Sequence, residues 1–91
     1  MYPLTSEQQE ILEIAKEECA EVIQVTCKGN RFGFDVEYEG KTNRQKLTQE
    51  VGDLLCMIEL MVEKDILNGL ALQKAKAAKR EKLKTWSNIG V

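Results

Sequence analysis

Two acidic pairs, Glu18-Cys19-Ala20-Glu21 and Glu50-Val51-Gly52-Asp53, lie within long helical patterns. Carboxylates three residues apart share one face of a helix, with Cβ atoms roughly 5–6 Å apart. In both pairs that face is the apolar one, so four acids are aimed at a hydrophobic seam. They would repel one another and lose hydration at a cost of roughly several kcal/mol each. A compensating positive charge is needed. The chain has no histidine, which leaves oxygen as the ligand type and points to Mg²⁺, with Mn²⁺ as a substitute. The missing histidine also removes the usual general base and the triads built on it.

Three helices must position these acids. The first is expected from Thr5 or Ser6, where Thr5 with Gln8 or Ser6 with Gln9 fits a capping box, to about Lys28, with Gly29-Asn30 as the stop. At about 100° per residue, Ile11, Ile14, Val22 and Val25 fall within roughly 40° of Glu18, with Ala15 and Glu21 near 60° on either side. The second helix is expected from Thr42 or Asn43, with Thr42 and Gln45 as a further capping box, to Asn68-Gly69. Around Glu50, Met57, Met61 and Leu54 fall within about 40°, with Leu47 and Asp53 near 60°. The same arrangement on two helices is the strongest signal in the chain. A third helix is expected over residues 70–86, with Leu72, Ala75, Leu83 and Trp86 as its packing edge, followed by a loose tail.

Between the first two helices, Phe32, Phe34, Val36 and Tyr38 alternate with Gly33, Asp35 and Glu37 in the manner of a short strand ending at Gly40. A lone strand needs a partner, so an ordered loop or an edge contributed to a dimer is expected. Gly52 inside the second helix suggests close approach of another helix or a ligand, or a tolerated defect. A helix of about 24 residues spans roughly 36 Å, more than the ~30 Å breadth of a compact domain of this length. The expected fold is therefore all-α, with long antiparallel helices and a four-helix-bundle-like core that oligomerisation completes.

The bulk properties fit one domain over residues 1–91. A composition of 43% hydrophobic and 31% charged residues argues against disorder, and no apolar run approaches the roughly 20 residues of a membrane span. The start Met1-Tyr2-Pro3-Leu4-Thr5 lacks the features of a signal peptide, so a cytoplasmic location is expected. Cys19, Cys27 and Cys56 match no zinc spacing, and Cys19 and Cys56, inside helical patterns, read as small apolar residues. Charge is uneven: the first helix is acidic, while Lys74, Lys76, Lys79, Arg80, Lys82 and Lys84 crowd the third. That basic stretch is either a solvated face or a cationic wall for a phosphate-bearing ligand. An acidic balance and no aromatic stacking set argue against nucleic acid.

The two acidic motifs, in order with Glu17-Glu18-Cys19-Ala20-Glu21-Val22-Ile23-Gln24, Arg31-Phe32-Gly33-Phe34, Thr42-Asn43-Arg44 and Glu50-Val51-Gly52-Asp53-Leu54-Leu55, resemble MazG-like nucleotide pyrophosphohydrolases. The likeness covers roughly residues 10–65 and is nearest to the small members found in phages and mobile elements. The resemblance implies an all-α dimer or tetramer that cleaves a nucleoside triphosphate to the monophosphate and pyrophosphate with Mg²⁺. Carried over by position, Glu18, Glu21, Glu50 and Asp53 are the metal ligands and catalytic acids, and one of them, such as Glu21, orients the attacking water. Lys79 and Arg80 are candidates for the cationic role, with Arg31 and Asn43 as substrate contacts. Arg31 could instead anchor the loop, and Asn43 could cap the second helix. Trp86, Tyr38, Phe32 and Phe34 could stack on a base or pack the core or an interface. The chain is short for this family, and its basic segment after Ala78 matches no substrate motif of the family.

Two alternatives stand beside this reading. Phosphoribosyl-ATP pyrophosphohydrolases and dimeric dUTPases resemble the same architecture and differ in substrate. A non-enzymatic helical oligomerisation or regulatory module would instead use Glu18 and Glu50 in interchain salt bridges.

Overall fold

A computed structural model describes residues 3–91. Helix α1 spans Ser6–Phe32, a hairpin pairs β1 (Glu37–Tyr38) with β2 (Lys41–Thr42), and helices α2 (Asn43–Glu63) and α3 (Gly69–Trp86) follow. The chain is thus predominantly helical, as expected.

The helix starts follow the capping chemistry. The Thr5 hydroxyl accepts from the Gln8 backbone N–H while Gln8 returns a bond to the Thr5 N–H, and Thr42 and Gln45 repeat the pattern. The ends differ from expectation. α1 runs through Gly29-Asn30 to Phe32, because Gly29 is not a stop: its bare backbone is the seat of the Phe34 ring, which a Cβ there would overlap. The chain turns at Gly33, whose φ of 99° suits glycine. α2 ends at Glu63, five residues early. There Asp65 adopts a left-handed φ of 61°, and the N–H groups of Ile66 and Leu67 turn back onto the Met61 carbonyl. This tucks Ile66 against the core. Asn68 is a start signal: its side chain accepts from the Ala71 N–H and caps α3.

The expected strand shrinks to two residues, since Phe32 is still helical. Its partner is local. Tyr38 faces Lys41, and the two-residue turn Glu39-Gly40 has positive φ at both positions, as a tight hairpin requires.

α1 and α2 lie antiparallel. Gln8 Nε2 donates to the Lys64 carbonyl at 2.8 Å, joining the start of α1 to the end of α2. Ile11, Ala15 and Met57 are the buried hydrophobic residues among those described, with Leu60, Met61 and Ile66 packed around them. α3 buries none of its residues. Of its expected packing edge, Leu72 and Leu83 are half-buried, while Ala75 and Trp86 are exposed. The radius of gyration is 16.2 Å, against ~12 Å for a compact domain of this length. The shortest dimension is 15 Å, little more than the ~10–12 Å diameter of one helix. The chain is a single layer of helices with a thin core. No helix among the described residues is long and apolar enough to cross a membrane.

Candidate acidic metal site

Midway along the α1–α2 seam, beyond the Ile11–Ala15–Met57 core, the apolar stripe gives way to acids. Glu18 and Glu21 enter from α1 and Glu50 from α2. One carboxylate oxygen of each lies within 4.8 Å of the others. Glu18 and Glu50 are half-buried, and the Oε2 atom of each is shut off from solvent with no hydrogen-bond donor. Buried polar atoms are normally paired, so two unpaired acceptors side by side mark an unmet demand for positive charge.

The titration behaviour follows from this crowding. The Glu50 carboxyl is pushed up to about 7, first by a hydrogen bond with the Glu21 side chain, then by burial and by the charges of Glu21, Asp53 and Glu18. Glu18 is raised by burial first, then by the charges of Glu21, Asp53 and Glu17. The charged groups that shift Glu18 and Glu50 are all carboxylates.

Asp53 stands apart from the trio. It is exposed one turn beyond Glu50, near enough for its charge to raise both Glu18 and Glu50. Three of the four acids singled out in the sequence therefore converge, and the fourth lies on the rim. The basic candidates are not drawn in. Lys79 and Arg80 are exposed on α3 and contribute nothing to the charge balance of Glu18 or Glu50. Arg31 is exposed, with its guanidinium 5.8 Å from the centre of the Phe32 ring.

Asn43 does not cap α2, since Thr42 does. Its amide donates to the Gly33 carbonyl at 2.9 Å and ties the interhelical loop to α2. The residue that sequence reasoning missed is Arg44. It grips Asp35 with two bonds of 2.7 and 3.0 Å, and this holds the Asp35 carboxyl below its usual range. The Arg44 backbone N–H also donates to the Phe34 carbonyl. With Phe34 on Gly29, these bonds fix the loop between α1 and α2. The pairing of Asp35 with Arg44, nine residues on, leaves no periodic trace in the sequence.

The donor set suits a hard divalent cation. It offers only carboxylate oxygens, from two helices, with two acceptors already desolvated and orphaned. No family model matches the chain, and no curated protein or solved structure matches it.

Proposed function

We propose that this protein is a MazG-like pyrophosphohydrolase that splits (deoxy)nucleoside triphosphates into the monophosphate and pyrophosphate in the cytoplasm, using Mg²⁺ or Mn²⁺. The observation that carries the reading is the convergence of Glu18, Glu21 and Glu50, with two buried oxygens left without partners. Glu18, Glu21 and Glu50 would hold the ion, with Asp53 joining from the rim. A bound divalent cation would neutralise phosphate charge and activate or orient a water. The carboxylates would set the position of that charge. Glu21, exposed and with a carboxylate oxygen within 4.8 Å of Glu50, is the acid best placed to orient a water.

The reading includes assembly into a homodimer or homotetramer with a four-helix core. A layer 15 Å thick, with only Ile11, Ala15 and Met57 as buried hydrophobic residues among those described, leaves apolar surface that a second copy would cover. Val51, Leu55, Ile58 and Val62 form a second stripe on α2, turned about 110° from Glu50. Leu55, Ile58 and Val62 line an open groove beside Leu72 of α3. Assembly would also bring a partner's basic α3 within reach of the acidic α1, which gives Lys79 and Arg80 a route to the phosphates.

The test is pyrophosphate release from a panel of ordinary and modified (d)NTPs, with and without Mg²⁺. Release from several dNTPs that depends on the metal and is lost in Glu18→Gln and Asp53→Asn supports the reading. Strict dependence on dUTP or phosphoribosyl-ATP would move the chain to another branch of the same architecture. Absence of release from every nucleotide would refute it.

A further inference from the structure

The two signs of charge sit on different elements of this chain. α3 carries six cations against one acid, Glu81, whereas the other residues carry seven cations against fourteen acids. The helix is also nearly free of packing, with no buried residue and only Gly69, Leu72 and Leu83 half-buried. Lys84 holds Glu81 at 2.9 Å. Among the described residues, Lys74, Lys76, Lys79, Arg80 and Lys82 have no acidic partner. Lys76 lies three and four residues before Lys79 and Arg80, and Lys79 three before Lys82. Like charges at that spacing destabilise a helix, and in proteins most helical stability comes from packing an apolar face. α3 therefore has cations to neutralise and little else to hold it.

The side of α3 turned away from α2 has a definite shape. Gly69, Leu72, Gln73 and Lys76 line the groove with α2. At about 100° per residue, Ala71, Ala78, Lys74 and Lys82 fall within roughly 50° of the opposite direction, with Ala75 near 70°. All five are exposed. Alanines thus leave this side slim, and Lys74 and Lys82 stand on either flank of it. A membrane surface needs a large apolar side to take up, and this side offers only methyl groups. A protein partner draws on aromatic and arginine anchors and makes little use of lysine. Trp86 stands about 90° away, at the last residue of the helix. A slim helix flanked by lysines suits a groove with phosphates along both walls. The major groove of B-form DNA is about 12 Å wide and admits an α-helix.

We propose that α3 docks on duplex DNA, with its Ala71–Ala78 side toward the major groove, Lys74 and Lys82 on phosphates of the two walls, and Lys79 on a phosphate at the edge. These contacts are to the backbone, so binding is independent of sequence. The acidic balance that argues against nucleic acid belongs to the chain as a whole. The cations of α3 add nothing to the charge balance of Glu18 or Glu50, so the two signs do not cancel where they stand. The proposal goes beyond the pyrophosphohydrolase reading and does not rest on it.

The test needs neither nucleotide nor metal. The full chain is titrated in EDTA against a fluorescein-labelled DNA duplex of arbitrary sequence, and anisotropy reads the binding. Three phosphate contacts predict a slope of log K against log salt of about −2.7, which is a ~40-fold loss of affinity between about 50 and about 200 mM KCl. Joint replacement Lys74→Gln and Lys82→Gln should reduce that slope by about 2 and weaken binding ~10-fold or more at low salt. Glu81→Gln, which removes the one acid of this side, should tighten binding. Glutamine keeps the helix propensity of the residues it replaces, and circular dichroism checks the fold. Duplex RNA of the same sequence should bind more weakly, because its major groove is deep and narrow. No binding to DNA at about 50 mM salt overturns the proposal. So does a double variant that binds like the wild type, or RNA that binds as tightly as DNA. Binding to phosphatidylserine vesicles without binding to DNA makes α3 a membrane-surface helix and overturns it as well. Salt-sensitive self-association without DNA binding assigns the cations to the acidic α1 of a second copy, with the same result. A chain that binds DNA in this way and hydrolyses no triphosphate keeps the docking helix and loses the pyrophosphohydrolase reading.

Discussion

Glu18 and Glu50 meet across the α1–α2 seam, each with its Oε2 atom buried and without a donor. Such a pair destabilises the metal-free chain, since each charge lies beside another of the same sign in a poorly hydrated place. Glu50→Gln and Glu18→Gln remove one charge each without changing shape. Both should melt a few degrees higher than the wild type in EDTA and should lose the stabilisation that Mg²⁺ gives the wild type. Pyrophosphate release should fall by about 100-fold or more, beyond the ~10–100-fold typical of losing an outer partner of a metal ligand. Thermal melts with and without Mg²⁺, beside the release assay, read both effects. A lower melting temperature for the neutral variants in EDTA would mean that the acids are not crowded.

The seam is legible in the sequence because helical periodicity carries it. Glu18 and Glu50 sit at the centres of apolar arcs, and the arcs that hold Ile11, Ala15 and Met57 are the ones that close on each other. Capping at Thr5 and Thr42 is equally legible, being a matter of three residues. What periodicity cannot reveal is pairing between elements. Gly29 reads as a helix stop until the Phe34 ring is known to cover it, and Arg44 reads as a surface charge until the loop brings Asp35 to it. Asn68 reads as the end of α2, although it begins α3, for a related reason. A cap and a stop have the same composition, and only the turn at Asp65 decides between them.

The pH dependence of stability follows from Glu50. Its carboxyl titrates near 7 when folded against an ordinary value of 4.5. Between these values the folded chain binds the extra proton, so its stability falls as pH rises. The favourable contribution is complete below about pH 4.5 and gone above about pH 7. The upward shift of Glu18 acts in the same direction. Denaturant unfolding in EDTA should therefore show stability decreasing from about pH 4.5 to about pH 7.5, and Glu50→Gln should flatten that slope. Saturating Mg²⁺ should flatten or reverse it, because the ion competes with the proton for the same oxygens.

Gly29→Ala tests the seat of the loop. The added Cβ would overlap the Phe34 ring, and the site is a buried helical backbone with little room to yield. Helix propensity alone favours alanine by about 1 kcal/mol, so any net loss measures the clash. A destabilisation of ~1–3 kcal/mol is expected, the range for overpacking. Combining it with Phe34→Ala should recover part of that loss, and a double-mutant cycle isolates the contact.

Gly52 is the opposite case. A Cβ there meets nothing within 4 Å, and the residue lies mid-helix on the face turned away from Glu50. Gly52→Ala should stabilise the chain by about 0.5–1 kcal/mol through helix propensity and the smaller entropy of the unfolded chain. Urea unfolding at fixed protein concentration measures it. Unchanged pyrophosphate release would separate this face from the acids at Glu50 and Asp53 that flank it in sequence.

In the proposed assembly, the second stripe of α2 is the face that a second copy would cover. Leu55 is 53% exposed at the middle of the run Val51, Leu55, Ile58 and Val62, and it opens onto the groove beside α3. Leu55 is exposed while Val51, Ile58 and Val62 are half-buried, and covering a large apolar side chain contributes roughly 1.5–3 kcal/mol. Leu55→Glu places a charge in the face that a second copy would cover. It should shift the sedimenting species from two or four times the chain mass toward the single chain, with helical content largely kept at high protein concentration. Pyrophosphate release should fall with assembly if the phosphate-facing cations come from a partner's α3. Release that persists in a monomeric Leu55→Glu would place every group the reaction needs on one chain and remove Lys79 and Arg80 as partner-supplied contacts. A wild type that sediments as a monomer at micromolar concentration would dispose of the assembly itself.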